Sequence, residues 1–357
     1  MSSKIRVLIV DDSAYSRQTI KGMLESDGDI EVVGTASNGI EAMAKTVKLN
    51  PHVITLDFEM PELDGFGFLR WLMKERPLPV IMVSSYSDTK TVFRALELGA
   101  ADFIAKPSPR ASTELLLIQD DLLEKVKGAR DLRIEKIELC RDLVQQKPDT
   151  PESEADASRA EVRQDIEAVA IGASTGGPAA LQVILTRLPA GFPARILISQ
   201  HMPKGFTGPF AERLNRLAKI PVKEAVDGAV VEKGTALICP GGYHLSLAVK
   251  NRNIRVALRD AASGDKYTPS VDVMMAAAAV CFGPQTMGVV LTGMGNDGRR
   301  GIVEIKEKGG YTIAQSESTA VVFGMPQEAI KTGHVDKILP LNEIAGQITK
   351  AVMKKHG

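Results

Sequence analysis

The chain has 357 residues, with 44 basic and 44 acidic side chains, so its formal net charge is zero; hydrophobic residues make up 44% and charged residues 25%. This balance argues against a general nucleic-acid or membrane-surface binder, and the length suits two domains that each bury a core of their own. Three cysteines, Cys140, Cys239 and Cys281, lie far apart and in no CxxC pair, which excludes a disulfide framework or a zinc site and fits a reducing compartment. The N-terminal residues read as lacking a signal peptide, and no apolar stretch approaches the roughly 20 residues of a membrane span, so a cytoplasmic location is expected.

Short β-rich apolar runs alternate with helical periodicity from the start. Strands are predicted at 5–10, 30–35, 53–56, 80–84 and 102–105, with helices at 14–26, 39–49, 63–75, 89–98 and 112–128. Ser13 suits a helix N-cap, Asn50-Pro51 and Arg76-Pro77 stop two of the helices, and Gly99 ends another. Such βα units mean a parallel sheet covered on both faces, here a doubly wound (βα)5 domain over residues 1–128. Residues 129–165 read as a linker. Its stretch from Lys147 to Asp156 is acidic and without periodicity, while Leu132, Ile134, Ile137 and Leu143 carry a helical pattern that can extend the preceding helix.

A second α/β domain is predicted over 166–357. Its strands fall at 168–172, 195–199, 288–291, 311–314 and 335–338, and its helices at 179–188, 208–217, 270–279, 298–307 and 341–353. A strand-rich stretch at 222–258, with turns at Asp227-Gly228 and Gly241-Gly242, reads as an antiparallel insertion.

In an open parallel sheet, ligands bind at the carboxyl ends of the strands. Asp11 and Asp12 follow the first strand and Asp57 follows the third, so three carboxylates converge. Packing like charges is costly without a cation, and oxygen-only ligation suits Mg2+. Lys106 and Ser84 end the fifth and fourth strands at the same cleft, where an ammonium and a hydroxyl can hold phosphoryl oxygens. The chemistry inferred is phosphoryl transfer to Asp57 as nucleophile. One such acid alone would more readily be a solvated strand-end residue; the complete set argues for chemistry.

In the second domain a strand runs into Gly172-Ala173-Ser174-Thr175-Gly176-Gly177-Pro178 and then a helix. Ser174 on such a turn fits either an exposed nucleophile or a phosphate cradle without chemistry. His201 and Asp297 each follow a parallel strand and can meet it there, which favours a Ser–His–Asp triad. Ser174 attacks an acyl carbon, His201 carries the proton, and Asp297 fixes the imidazole. His244, after Gly241-Gly242, reads as structural before it reads as site-lining.

Residues 5–125 resemble the receiver domain of two-component response regulators, through Val10-Asp11-Asp12-Ser13, Leu56-Asp57-Phe58-Glu59-Met60-Pro61, Val83-Ser84-Ser85 and Lys106-Pro107. The resemblance implies phosphorylation of Asp57 by a histidine kinase. It implies Mg2+ on Asp12, Asp57 and the backbone carbonyl of Glu59, with Asp11 assisting. It also implies a cis bond before Pro107 and a switch pair in Ser84 and Phe103, although Phe103 reads equally well as a core residue. Residues 166–353 resemble the catalytic domain of the CheB family of chemotaxis protein-glutamate methylesterases, through the Ser174 turn, Gln200-His201-Met202-Pro203, Pro269-Ser270-Val271-Asp272 and Leu291-Thr292-Gly293-Met294-Gly295-Asn296-Asp297-Gly298. That family's triad falls on Ser174, His201 and Asp297, with Thr175 and Met294 matching residues that shape the oxyanion pocket. For Met294 the competing reading is core packing.

The implied reactions are hydrolysis of glutamate γ-methyl esters on methyl-accepting chemoreceptors, releasing methanol, and deamidation of certain receptor glutamines. The implied setting is cytoplasmic, recruited to receptor arrays, with a chemotaxis-type kinase as phosphodonor and no cofactor for the ester chemistry. No nucleic-acid partner and no membrane insertion are expected. A phosphoryl switch joined to a hydrolase by a linker further suggests that the unphosphorylated receiver covers the Ser174 cleft. A phosphorylation-dependent adaptor and a receiver-controlled transcription factor are the rival readings. The intact triad speaks against the first, and the absence of a basic recognition helix against the second.

Overall fold

Strands that read as unbroken apolar runs form the centres of two parallel sheets, each buried on both faces. The computed structural model describes residues 4–85, 89–106, 118–130, 132–146, 165–262 and 264–353. Its contacts divide the chain into two units, Met1–Glu138 and Leu139–Gly357. Among the described residues, no helix is long and apolar enough to cross a membrane.

The first unit holds β1 (Ile5–Val10), β2 (Ile30–Ala36), β3 (Val53–Leu56), β4 (Val80–Ser85) and β5 (Asp102–Lys106), in the order β2-β1-β3-β4-β5 with every pairing parallel. This is the flavodoxin-like doubly wound arrangement, and the direction of winding reverses between β1 and β3. Helices α1 (Ala14–Glu25), α2 (Gly39–Leu49), α3 (Gly65–Glu75), α4 (Thr89–Leu98) and α5 (Gln119–Ala129) cover the sheet. Ser13, Asn38 and Asp64 cap the first three, each side chain accepting from a backbone N–H in the first turn. Leu8, Ile9, Ile54, Leu56, Phe68 and Leu72 are fully buried at the centre.

The helix expected at 112–128 occupies Gln119–Ala129 in the structure, and residues 107–117, with the bond before Pro107, lie outside the described residues. The following periodicity does not extend α5. It forms a separate helix, α6 (Ile134–Gln145), because the chain closes the end of α5 with tight bonds from Arg130 N to Lys127 O and from Leu132 N to Ala129 O. Leu132, Ile137, Cys140 and Leu143 are buried, so this half of the expected linker is packed structure; the acidic half lies outside the described residues.

In the second unit, β6 (Ala168–Ala173), β7 (Arg195–Gln200), β8 (Val222–Glu224), β9 (Ala236–Ile238), β12 (Thr286–Val290), β13 (Tyr311–Gln315) and β14 (Lys337–Leu339) form one parallel sheet, ordered β14-β13-β12-β6-β7-β9-β8. The antiparallel insertion is narrower than the sequence suggested. It is the hairpin β10 (Tyr243–Lys250) with β11 (Asn253–Asp260), plus a bridge between Val230 and Arg255. β8 and β9 instead extend the main sheet, since Ala236, Leu237 and Ile238 are buried as a central strand requires. The helices are α7 (Gly177–Arg187), α8 (Thr207–Leu217), α9 (Val271–Phe282), α10 (Arg299–Glu307), α11 (Met325–Lys331) and α12 (Leu341–Val352). α9 runs to Phe282, past its expected end, until Gly283 at φ 52° terminates it. α11 was not anticipated.

α9 lies hard against β6. A Cβ on Gly172 would stand 2.1 Å from Cγ1 of Val271, so only a glycine permits this approach. Gly172→Ala should therefore destabilise the second unit by about 1–3 kcal/mol through overpacking. Urea denaturation followed by a probe in each unit should find the first unit's transition unmoved.

Candidate functional site

The winding of the second sheet reverses between β6 and β12, and functional groups gather where the strands on either side end. Ala173 and Gln200 are the last paired residues of β6 and β7, so Ser174 and His201 are the next residue on each of two adjoining strands. His201 N donates to Ala173 O at 3.0 Å, and Ser174 N donates to Thr292 O, just past β12, also at 3.0 Å. Gly293 comes so close to Ser174 that a Cβ there would lie 2.7 Å from the serine Cβ. Gly176, at φ 76°, turns the chain into α7, and Gly177 N donates back to Ser174 O at 2.7 Å. The N–H groups of Ser174 and Gly177 are thus already engaged, which narrows the row of anion-binding donors that the sequence suggested.

Gln200 clamps this arrangement. Its buried Nε2 donates to Ser174 O at 2.9 Å and to His201 O at 3.0 Å, tying the two segments together. A polar residue closing a buried apolar strand is the signal in the sequence that marks it.

Asp297 is 3% exposed and saturated with donors. Oδ2 accepts from His201 Nε2 at 2.8 Å and from Val271 N at 2.7 Å. Oδ1 accepts from Asp272 N at 2.9 Å, from Ser270 Oγ at 3.1 Å and from Gly298 N at 3.1 Å. The carboxylate therefore sits on the N-terminus of α9, where free N–H groups and the helix dipole favour negative charge. Burial pushes its pKa up, but the hydrogen bond and charge of His201 and the backbone N–H groups of Asp272 and Val271 outweigh that, holding it below the usual range. Asp272 reciprocates, accepting from Gly298 N at 2.9 Å and Gly301 N at 2.7 Å at the start of α10. Burial, reinforced by the charge of Asp297, raises the pKa of Asp272.

The imidazole pairs with the aspartate through Nε2, which leaves Nδ1 as the nitrogen able to take a proton. Tyr267, which sequence reasoning missed, stacks face to face on this ring, with centroids 4.8 Å apart and planes 7° from parallel. It belongs to a polar loop with no periodicity, and nothing local in the sequence marks it. His244 fills both roles weighed for it: its Nε2 donates to Asp265 at 2.8 Å and its Nδ1 accepts from Ser270 N at 3.2 Å, and it also lines the cleft beside Asp297. Thr175 is 2% exposed and Met294 8%; the Thr175 carbonyl is held by Thr292 Oγ1 at 2.9 Å. A cleft of about 580 Å3 on the Asp297 side is lined in part by His244, Tyr267, Asp297 and the α9 residues Ala276 and Val280.

In the first unit, Asp11, Asp12 and Asp57 offer carboxylate oxygens that all lie within 4.8 Å of one another. Lys106 Nζ bonds Asp11 Oδ2 at 2.7 Å and Asp57 Oδ2 at 2.5 Å. Burial raises the pKa of Asp11, with Asp57 adding to the rise and Lys106 opposing it. Burial lowers that of Lys106, but Asp57 and Asp11 more than compensate, so it stands raised. Three carboxylates against one ammonium leave room electrostatically for a divalent cation, and an all-oxygen pocket fits Mg2+. Glu59 is exposed on the loop after β3, and its side chain is not part of this cluster. Phe103 is 2% exposed, with Lys125 Nζ over its ring at 5.6 Å. Ser84 pairs with Ala105 through the backbone of β4; its side chain lies outside what the structure describes.

Residues 169–348 match the family model described as CheB methylesterase, and residues 7–117 match the response regulator receiver domain. A Geobacter sulfurreducens protein named protein-glutamate methylesterase/protein-glutamine glutaminase 3 is 48% identical over 359 residues, covering 97% of this chain and 96% of its own. A Pyrococcus horikoshii protein named protein-glutamate methylesterase/protein-glutamine glutaminase is 45% identical over 363 residues, with 99% and 95% covered. Among solved structures, the Thermotoga maritima CheB methylesterase catalytic domain superposes with a TM-score of 0.51 at 40% identity, over 52% of this chain and 98% of that one.

The two acids around α9 should respond oppositely to pH. Asp297, with its lowered pKa, stabilises the fold above its unfolded pKa of about 3.9, and that contribution is lost as pH falls through the folded value. Asp272, with its raised pKa, costs stability at neutral pH, a cost relieved as it protonates. Asp272→Asn keeps an acceptor for Gly298 and Gly301, so its urea midpoint relative to the unsubstituted protein should be more favourable at pH 8 than at pH 4. Asp297→Asn should cost stability throughout pH 4 to 8, and its deficit should shrink only below pH 4, where the unsubstituted protein gives up the same contribution.

Proposed function

Since the chain belongs to the CheB methylesterase family, we propose that it is a phosphorylation-controlled protein-glutamate methylesterase and protein-glutamine glutaminase that acts as a serine hydrolase on chemoreceptors. The observation that supports this most is the His201–Asp297 hydrogen bond beside Ser174, with the serine and the histidine on adjoining strand ends.

In this reading Ser174 Oγ attacks the γ-carbonyl carbon of a receptor glutamate methyl ester, and Nδ1 of His201 takes its proton. Asp297 stabilises the imidazolium at Nε2 and fixes the tautomer. The tetrahedral oxyanion lies against the turn carrying Thr175 and the segment carrying Met294. Nδ1 then protonates the departing methoxide, and methanol leaves. Water, activated by the same nitrogen, releases the glutamate from Ser174. A glutamine side chain follows the same course with ammonia as leaving group, so one site serves both substrates.

In the receiver, Asp57 is the phosphoryl acceptor from a chemotaxis-type histidine kinase. Mg2+ held by Asp12, Asp57 and the Glu59 carbonyl, with Asp11 beside it, would neutralise charge on the transferring group. Lys106, bonded to Asp57 in this structure, is set to hold a phosphoryl oxygen there. Ser84 and Phe103 carry the switch, and its effect on the hydrolase is a shift of population toward the active form.

The test is methanol release from methylated receptor fragments in the presence of Mg2+. A small phosphodonor should raise the rate roughly 5- to 150-fold. Asp57→Asn should keep the basal rate and lose only that rise. Ser174→Ala and Asp297→Asn should each lose about 10^3-fold or more. A folded protein that releases no methanol from any of several receptor fragments would sink the assignment, as would a Ser174→Ala variant of undiminished rate.

A further inference from the structure

We infer that Tyr267 is a positioning residue for the general base, its ring forming a flat wall that fixes the plane of the His201 imidazole. The inference rests on the assignment of His201 as that base. One hydrogen bond, from Nε2 to Asp297, leaves an imidazole able to swing about the line joining nitrogen and oxygen. A stacked ring with its centroid at 4.8 Å and its plane only 7° from parallel blocks that swing and so fixes the plane in which Nδ1 lies.

The tyrosine is itself held from both sides. Two residues earlier, Asp265 is fixed by His244 Nε2 and by Ala262 N, each at 2.8 Å; three residues later, Ser270 N donates to His244 Nδ1. Lys266 Nζ also lies over the tyrosine ring, 4.7 Å from its centroid. The hydroxyl, by contrast, is buried with no hydrogen-bond partner among the described residues. The ring is therefore the working part of the side chain. An aromatic face also stabilises the imidazolium that forms when His201 takes its proton. The other charged and titratable groups around this ring pair are Asp297 on Nε2, Asp272 beyond it at the start of α9, Lys266 and Asp265 on the tyrosine's own loop, His244 and Arg259 from the hairpin, and Arg300 and Glu304 from α10.

The test compares Tyr267→Phe and Tyr267→Leu in the full chain by two readouts. One is the pH titration of His201, followed by NMR on histidine-labelled protein with His201→Asn used for assignment. The other is the rate at which a serine-directed phosphonate labels Ser174. Phenylalanine, which keeps the wall, should titrate and label as the unsubstituted protein does. Leucine should lower the His201 midpoint by about half a pH unit and slow labelling roughly 10- to 100-fold. Tyr267→Met replaces leucine if that variant does not fold. A leucine variant identical to the unsubstituted protein in both readouts, or a phenylalanine variant as impaired as leucine, overturns the inference. If the unsubstituted protein does not label at Ser174 at all, the hydrolase assignment fails instead, and the titration alone decides the role of Tyr267.

Discussion

The carboxylate of Asp297 is the constraint on which the second unit's site depends. It is buried, negatively charged and held by donors from β7's end, from the start of α9 and from its own turn. A buried charge is tolerable only when paired and hydrogen-bonded, and here the helix N-terminus and the imidazole supply both conditions. The consequence is mutual. The acid orders α9 against β6, and α9 orders the acid that aligns His201. Asp272 closes the loop by capping α10, so the two helices hold each other's first turns through exchanged carboxylates.

The two units solve the same problem with different chemistry. Each winds its sheet outward in both directions from a central strand and collects polar groups at the ends of the strands flanking the reversal. In the first unit the neighbouring ends carry acids, balanced in part by the ammonium of Lys106. In the second they carry a hydroxyl, an imidazole and an acid already satisfied by a helix. The first pocket retains excess negative charge and suits a cation and a phosphoryl group; the second suits proton transfer.

Much of this was legible because buried parallel strands read as apolar runs and their ends are marked by abrupt polarity, as at Asp11, Asp57, Ser174 and His201. The candidate site residues stand at those ends. What stayed hidden was local signal too short to carry a period or contact made between distant segments. β8 and β9 have three residues each, so nothing in them distinguishes a parallel sheet edge from an insertion. α6 separates from α5 through two tight backbone bonds that composition does not announce. Tyr267 reaches His201 only because a loop anchored on His244 folds across it, and Gln200 matters through two carbonyls outside its own strand.

The glycines around Ser174 bear on how this chemistry can diverge. A Cβ on Gly177 would meet Gln200 Oε1 at 2.1 Å, and one on Gly293 would meet Ser174 itself. The floor of the site thus has no room for a side chain to be added. Room for change lies at the rim, among partly exposed cleft residues such as Ser246 and Leu247 on the β10–β11 hairpin and the exposed Val280 on α9. Variants meant to change what the cleft accepts would find their tractable positions in that outer ring.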